Sequence, residues 1–113
     1  MADCLFCSIA AGDIPSDQVR SGERTYAFRD IAPVAPTHVL VVPRQHYRNA
    51  AELSREDPGL LAELVAEATS IADEAGLAGG YRLVFNTGQE GGQTVDHVHV
   101  HVLGGRTMTW PPG

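Results

Sequence analysis

His97-Val98-His99-Val100-His101-Val102-Leu103 is the most informative stretch of the chain. Polar and apolar residues alternate strictly through it, the period of a half-buried β-strand. Side chains on a strand alternate faces, so the three imidazoles share one face and the valines the other. At a rise of about 3.3 Å per residue, successive histidines stand about 6.6 Å apart, room for a phosphate between neighbouring rings. Valines packed on a helix would hold the strand rigid, as a catalytic group requires. A purely structural or metal-only histidine cluster is the alternative reading. A neutral imidazole is nucleophilic near pH 7, so one ring could attack phosphorus while a second handles the proton of the leaving group.

Just upstream lies Thr87-Gly88-Gln89-Glu90-Gly91-Gly92-Gln93-Thr94, a polar loop whose glycines let backbone N–H groups approach an oxyanion. Before it, residues 81–86 read as a strand. Asp57-Pro58 reads as an N-cap with proline at the first helical position. Leu60, Leu61, Leu64, Val65, Ala68, Ile71, Ala72 and Ala75 then recur at helical spacing as far as Gly76. Residues 38–43 (HVLVVP) predict a strand buried on both faces. Residues 18–21 and 25–30 predict two strands joined at Gly22-Glu23, and residues 5–11 a short helix stopped by Gly12. A Pro-containing loop fills 31–36, and the tail Trp110-Pro111-Pro112-Gly113 cannot be regular helix. The pattern is one α+β domain over residues 1–113, with one long helix, one short helix and a mostly antiparallel five-stranded sheet.

Bulk properties narrow the function. A hydrophobic content of 43% with 19% charged residues fits an ordinary globular domain. The net charge of −6, with only 8 Lys and Arg, argues against a nucleic-acid polymer as partner. No apolar run approaches the roughly 20 residues of a membrane helix, and no secretory signal is evident, so a cytoplasmic location is expected. Cys4 and Cys7 form a C-x-x-C pair, in a reducing compartment more often metal-binding or redox-active than a structural disulfide.

The His-φ-His-φ-His-φ-φ run resembles the motif of the histidine triad (HIT) superfamily. Gly104-Gly105-Arg106 and the Trp110-Pro111-Pro112-Gly113 tail resemble its Hint branch, the purine nucleoside phosphoramidases. Ile14-Pro15, Phe28-Arg29-Asp30-Ile31, Ala35-Pro36-Thr37-His38 and Gly91-Gly92-Gln93-Thr94-Val95 extend the likeness along nearly the whole chain. It implies a hydrolase that cleaves nucleoside 5′-phosphoramidates or related adenylylated compounds at the α-phosphorus through a nucleotidyl-histidine intermediate. Dinucleoside polyphosphate hydrolysis and a nucleotide-binding scaffold with incidental hydrolysis are the alternatives. A metal-dependent hydrolase is disfavoured, since the one nearby carboxylate, Asp96, should face away from the histidines.

By the same resemblance His99 is the nucleophile, oriented by the backbone carbonyl of His97, and His101 contacts the α-phosphate and assists the leaving group. Thr94 supplies a hydroxyl where relatives often carry serine. Asn86, Gly92 and Gln93 surround phosphate and sugar, Asp30 binds the ribose hydroxyls, and Leu5, Phe6, Phe28 and Ile31 line the slot for the base. Trp110 reaches a partner subunit, because the sheet of such proteins continues across a homodimer; residues 104–113 would lie at that interface and at the active site. Catalysis needs no cofactor. A structural zinc is implied on Cys4, Cys7, His46 and His97, with four ligands and no open position.

Overall fold

The structure, a computed structural model, describes residues 4–113. Helix α1 (Leu5–Ala10) starts at Cys4, whose sulfur accepts the Cys7 amide at 3.4 Å. Strands β1 (Gln18–Ser21), β2 (Thr25–Arg29) and β3 (Thr37–Pro43) follow, then helices α2 (Ala50–Glu56) and α3 (Pro58–Glu74), and strands β4 (Tyr81–Val84) and β5 (Val100–Gly104). The strands form one antiparallel sheet in the order β1-β2-β3-β5-β4. The α+β class and the five strands agree with the reading of the sequence. Strand β3 lies at the centre, and every residue after Thr37 is buried, as its β-branched run predicts.

The register sorts side chains onto two faces. Ala27, Val41 and Val100 lie side by side, as do Val39, Val102 and Leu83. Together with Val98 they pack on the stripe Leu60, Leu64, Ala68, Ile71 and Ala72 of α3. Asp57 caps that helix, its Oδ1 accepting the Leu60 amide at 3.1 Å, with Pro58 in the first turn. On the other face Phe28, Leu40 and His101 are neighbours, beside Tyr26, Val42 and His38. Helix α1 closes part of this face through Phe6, Ile9 and Ala10. The valines of the HVHVHVL run thus meet the long helix, and its histidines face away from it.

Three details differ from the expectation. The domain has a third helix, α2, beside the one long and one short helix predicted. It has seven residues and buries only Leu53, so it leaves no apolar period to read. Asn49 starts it instead, its side chain accepting the Glu52 amide at 2.9 Å. Strand β5 begins at Val100 rather than His97. Continuing the β3–β5 ladder would bring Val98 opposite Pro43, which has no N–H to donate. The Val98 amide bonds instead to the Tyr47 carbonyl at 2.7 Å, so residues 97–99 leave the sheet. Strand β4 ends at Val84, two residues short of Asn86.

Candidate active site and metal cluster

His99 is buried, and its Nδ1 lies 2.8 Å from the carbonyl oxygen of His97. A carbonyl only accepts, so Nδ1 carries the proton and Nε2 keeps its lone pair. The His99 ring stands edge-on to Phe6 at 5.0 Å and 5.0 Å from the His101 ring. Burial holds the His99 pKa below the ordinary imidazole value, against the opposing pull of the His97 carbonyl and the Asp30 charge. The ring is therefore neutral, with one free lone pair on Nε2.

The same bookkeeping fixes His101. The Val34 amide donates to His38 Nδ1 at 3.1 Å, which places the His38 proton on Nε2. That Nε2 lies 2.9 Å from His101 Nδ1, so His101 accepts there and carries its own proton on Nε2. His101 Nε2 is buried with no hydrogen-bond partner. A buried N–H left unpaired costs about 1–3 kcal/mol, and a ligand oxygen would satisfy it. Burial first, then proximity to His99 and His38, lowers the His101 pKa to about 4, with Asp30 opposing. Burial likewise lowers His38, so its 3.4 Å contact with Asp30 joins a neutral ring to a carboxylate and is not an ion pair. The constellation offers one lone pair, on His99, beside one unsatisfied N–H, on His101.

Among the described residues, two groups of side chains could hold a metal by proximity: Asp30, His38 and His101, and Cys4, Cys7, His46 and His97. Backbone partners separate them. The Val34 amide leaves His38 Nε2 protonated and unable to ligate, so the first group is a hydrogen-bond chain. In the second, fully buried His97 has Nε2 2.8 Å from the Pro43 carbonyl, which frees Nδ1 for a metal. That Nδ1 is 3.3 Å from Cys4 sulfur, 3.4 Å from Cys7 sulfur and 3.2 Å from His46 Nδ1, and Cys7 sulfur is 3.5 Å from His46 Nδ1. Zinc bond lengths of about 2.0–2.1 Å to nitrogen and 2.3 Å to sulfur give tetrahedral edges of about 3.3 and 3.6 Å. The donor set and its spacing fit that ion. Burial, then the hydrogen bond to and charge of Cys4, raise the Cys7 pKa, and burial lowers His97 to about 4. A cation would favour the Cys7 thiolate, and the neutral His97 ring is the form that ligates a metal.

The other residues singled out from sequence divide clearly. Phe6 and Phe28 are buried, 5.5 Å apart edge-on, forming the wall beside His99. Asp30 is half-buried beside His38, with Oδ1 taking the Ala32 amide at 2.8 Å. Gln93 spends its side chain on the backbone: Nε2 donates to the carbonyls of Arg48 and Val95, and Oε1 accepts the Gly88 amide. It braces the 87–94 loop rather than projecting from it. Thr94 and Gly92 (φ +86°) are exposed on that loop, and Asn86 is half-buried just past β4. Leu5 is exposed at the start of α1, Ile31 is 100% exposed and Trp110 82%, so the single chain does not bring these three into the site. Sequence reasoning missed His38. Its signal, a histidine in phase with Leu40 and Val42 in an otherwise apolar strand, becomes readable only once β3 is known to neighbour β5. A cavity of about 570 Å³ lies elsewhere, between residues 76–82 and 105–108, and no histidine lines it.

Residues 11–108 match the family model of the HIT domain, a span holding all the histidines but neither cysteine. An uncharacterized HIT-like protein of Synechococcus elongatus is 48% identical over 111 residues, 98% of this chain and 97% of that protein. The crystal structure of a HIT family hydrolase from Legionella pneumophila superposes with a TM-score of 0.95 at 49% identity, covering 98% of this chain and 100% of that one. A histidine triad protein from Clostridium difficile gives a TM-score of 0.92 at 39% identity, covering 96% of each chain.

Proposed function

The chain belongs to the HIT domain family, and on that premise we propose that it hydrolyses purine nucleoside 5′-phosphoramidates, or related adenylylated compounds, at the α-phosphorus. The observation that carries the reading is the pairing of a free lone pair on His99 Nε2 with an unpartnered N–H on His101 Nε2. His99 Nε2 attacks phosphorus, and the His97 carbonyl stabilises the resulting imidazolium through Nδ1–H. His101 passes its Nε2 proton to the departing amine, and the His38 Nε2–H at its Nδ1 stabilises the imidazolate left behind. That imidazolate takes a proton from the water that cleaves the phosphorus–nitrogen bond to His99, which releases the nucleoside monophosphate and restores both rings. Phe6 and Phe28 form the apolar side of the base slot with Leu5 and Ile31 at its rim, and Asp30 takes the ribose hydroxyls. Asn86, Thr94 and the Gly92-Gln93 backbone surround the phosphate.

Cys4, Cys7, His46 and His97 would hold a structural zinc, which supplies a cross-link between α1 and the sheet. The chain would act as a cytoplasmic homodimer whose sheet continues through the open edge of β4, with residues 104–113 and Trp110 reaching the partner's site.

The deciding assay is hydrolysis of an adenosine 5′-phosphoramidate beside a diadenosine polyphosphate. Faster turnover of the phosphoramidate supports the proposal, and preference for the polyphosphate would move the chain to the other hydrolase class. Activity on neither, with AMP still bound, would leave a nucleotide-binding protein. A second expectation concerns protons. Burial depresses His101 to about 4, and its Nδ1 already accepts the His38 proton, so the ring stays neutral when a phosphate binds. The affinity for the methyl ester of AMP, whose single charge does not titrate, should therefore stay level as pH falls from 8 to 6. Calorimetry in two buffers should show no proton uptake; uptake with affinity rising at low pH would overturn the neutral role of His101.

A further inference from the structure

We infer that Arg106 is a positioning residue that, with Gly105, locks His38 and thereby His101 in the tautomers the reaction needs; this rests on the hydrolase reading above. Residues 31–34 have little packing of their own, between half-buried Asp30 and buried Ala35: Ile31 is fully exposed, and Ala32, Pro33 and Val34 are exposed beside it. Yet this loop delivers the Val34 amide to His38 Nδ1. Among the described residues, Arg106 is the one partner from outside residues 30–38 that hydrogen-bonds to residues 31–36, its Nε donating to the Val34 carbonyl at 3.1 Å. Its Nη1 donates to the Thr107 carbonyl at 3.3 Å, and Arg82 Nη2 donates to the Thr109 carbonyl at 2.8 Å, so the strap formed by residues 105–109 is itself tied down. Gly105 has φ +90°, and a Cβ there would come within 2.8 Å of the Pro36 side chain. Glycine is needed for both reasons, and it lets the strap press on the loop next to Val34.

The consequence follows from hydrogen-bond polarity. With the Val34 N–H in place, His38 donates through Nε2, His101 accepts at Nδ1, and His101 Nε2 carries a proton toward the substrate. Without it, His38 is free to carry its proton on Nδ1 and turn a lone pair toward His101. His101 must then donate through Nδ1, and its Nε2 becomes a second lone pair beside that of His99. No bond is made or broken by Arg106 itself; it selects which nitrogen of two rings is protonated.

The test compares wild type with Arg106→Ala, Arg106→Lys and Val34→Pro, the last removing the donor N–H while leaving Arg106 in place. Long-range proton–nitrogen correlation NMR reads the His38 tautomer directly. Wild type should show the Nε2–H form alone, and Arg106→Ala and Val34→Pro a mixture. Turnover of an alkylamine phosphoramidate of AMP, whose leaving group needs a proton, should fall by about tenfold or more, part of the 10²–10⁴-fold that general acid catalysis supplies. Turnover of the p-nitrophenyl ester of AMP, which leaves unprotonated, should stay within about twofold, with KM for both little changed. Arg106→Lys, which still has a donor for the Val34 carbonyl, should recover most of the loss. An unmixed Nε2–H tautomer in the Ala and Pro variants, or equal losses on both substrates, overturns the inference. The NMR arm needs no turnover, so a wild type inactive on both substrates ends the hydrolase reading and leaves the tautomer result to decide this one.

Discussion

Replacing His99 with alanine is expected to lower turnover by about 10⁴-fold or more, the loss typical of a removed nucleophile, while the affinity for AMP stays within about tenfold. The expectation follows from which atom is free. Of the ring nitrogens in the chain His38–His101 and in His99, only His99 Nε2 keeps a free lone pair, on a buried ring beside an unpartnered donor. Alanine leaves a hole beside Phe6, whose ring packs edge-on against His99, so His99→Asn is the better companion variant. Its side-chain amide can still donate to the His97 carbonyl but offers no nucleophilic nitrogen. Rapid quench and mass spectrometry should find one nucleotidyl group on wild type and none on either variant. Comparable turnover in His99→Asn, or an adduct that persists there, would sink the mechanism.

Loss of the proposed zinc should act on stability and spare chemistry. A structural metal absent from the unfolded chain adds its binding free energy to folding. For a domain of this size, each kcal/mol moves Tm by about 4–8 °C. Cys7→Ser, or chelation of wild type, is therefore expected to lower Tm by about 10 °C or more and to reduce zinc from one per chain to none. Turnover at 25 °C should change by less than about threefold, because the His97 carbonyl, not its ring, orients His99. Purified wild type without zinc, together with a Cys7→Ser variant melting within about 2 °C of it, would defeat the proposal.

Much of this was legible in the chain itself, and the gaps have physical causes. Alternation in HVHVHVL assigned the faces correctly, since Val98, Val100 and Val102 meet α3 while the imidazoles point away. It misplaced the start of the strand because pairing depends on a partner, and Pro43 of β3 has no donor to give. Helix α2 escaped notice because one buried leucine makes no period. His38 was passed over because the 2.9 Å approach to His101 depends on register between strands far apart in sequence. The resemblance assigns Gln93 to phosphate and sugar, whereas its amide is spent on the backbone of Gly88, Arg48 and Val95. Leu5, Ile31 and Trp110 stay exposed, away from the buried histidines, because no element of the single chain covers them.

His97 divides its atoms between two tasks: the ring faces the cysteines, and the carbonyl faces His99. A carbonyl is common to every residue, so selection for chemistry places no demand on which side chain stands at position 97. Selection for metal binding falls on four positions jointly, because a site missing one ligand is worth little. The two inheritances can therefore separate: a lineage could discard Cys4, Cys7, His46 and the imidazole of His97 together, replace them with an apolar plug, and still pass on a working enzyme.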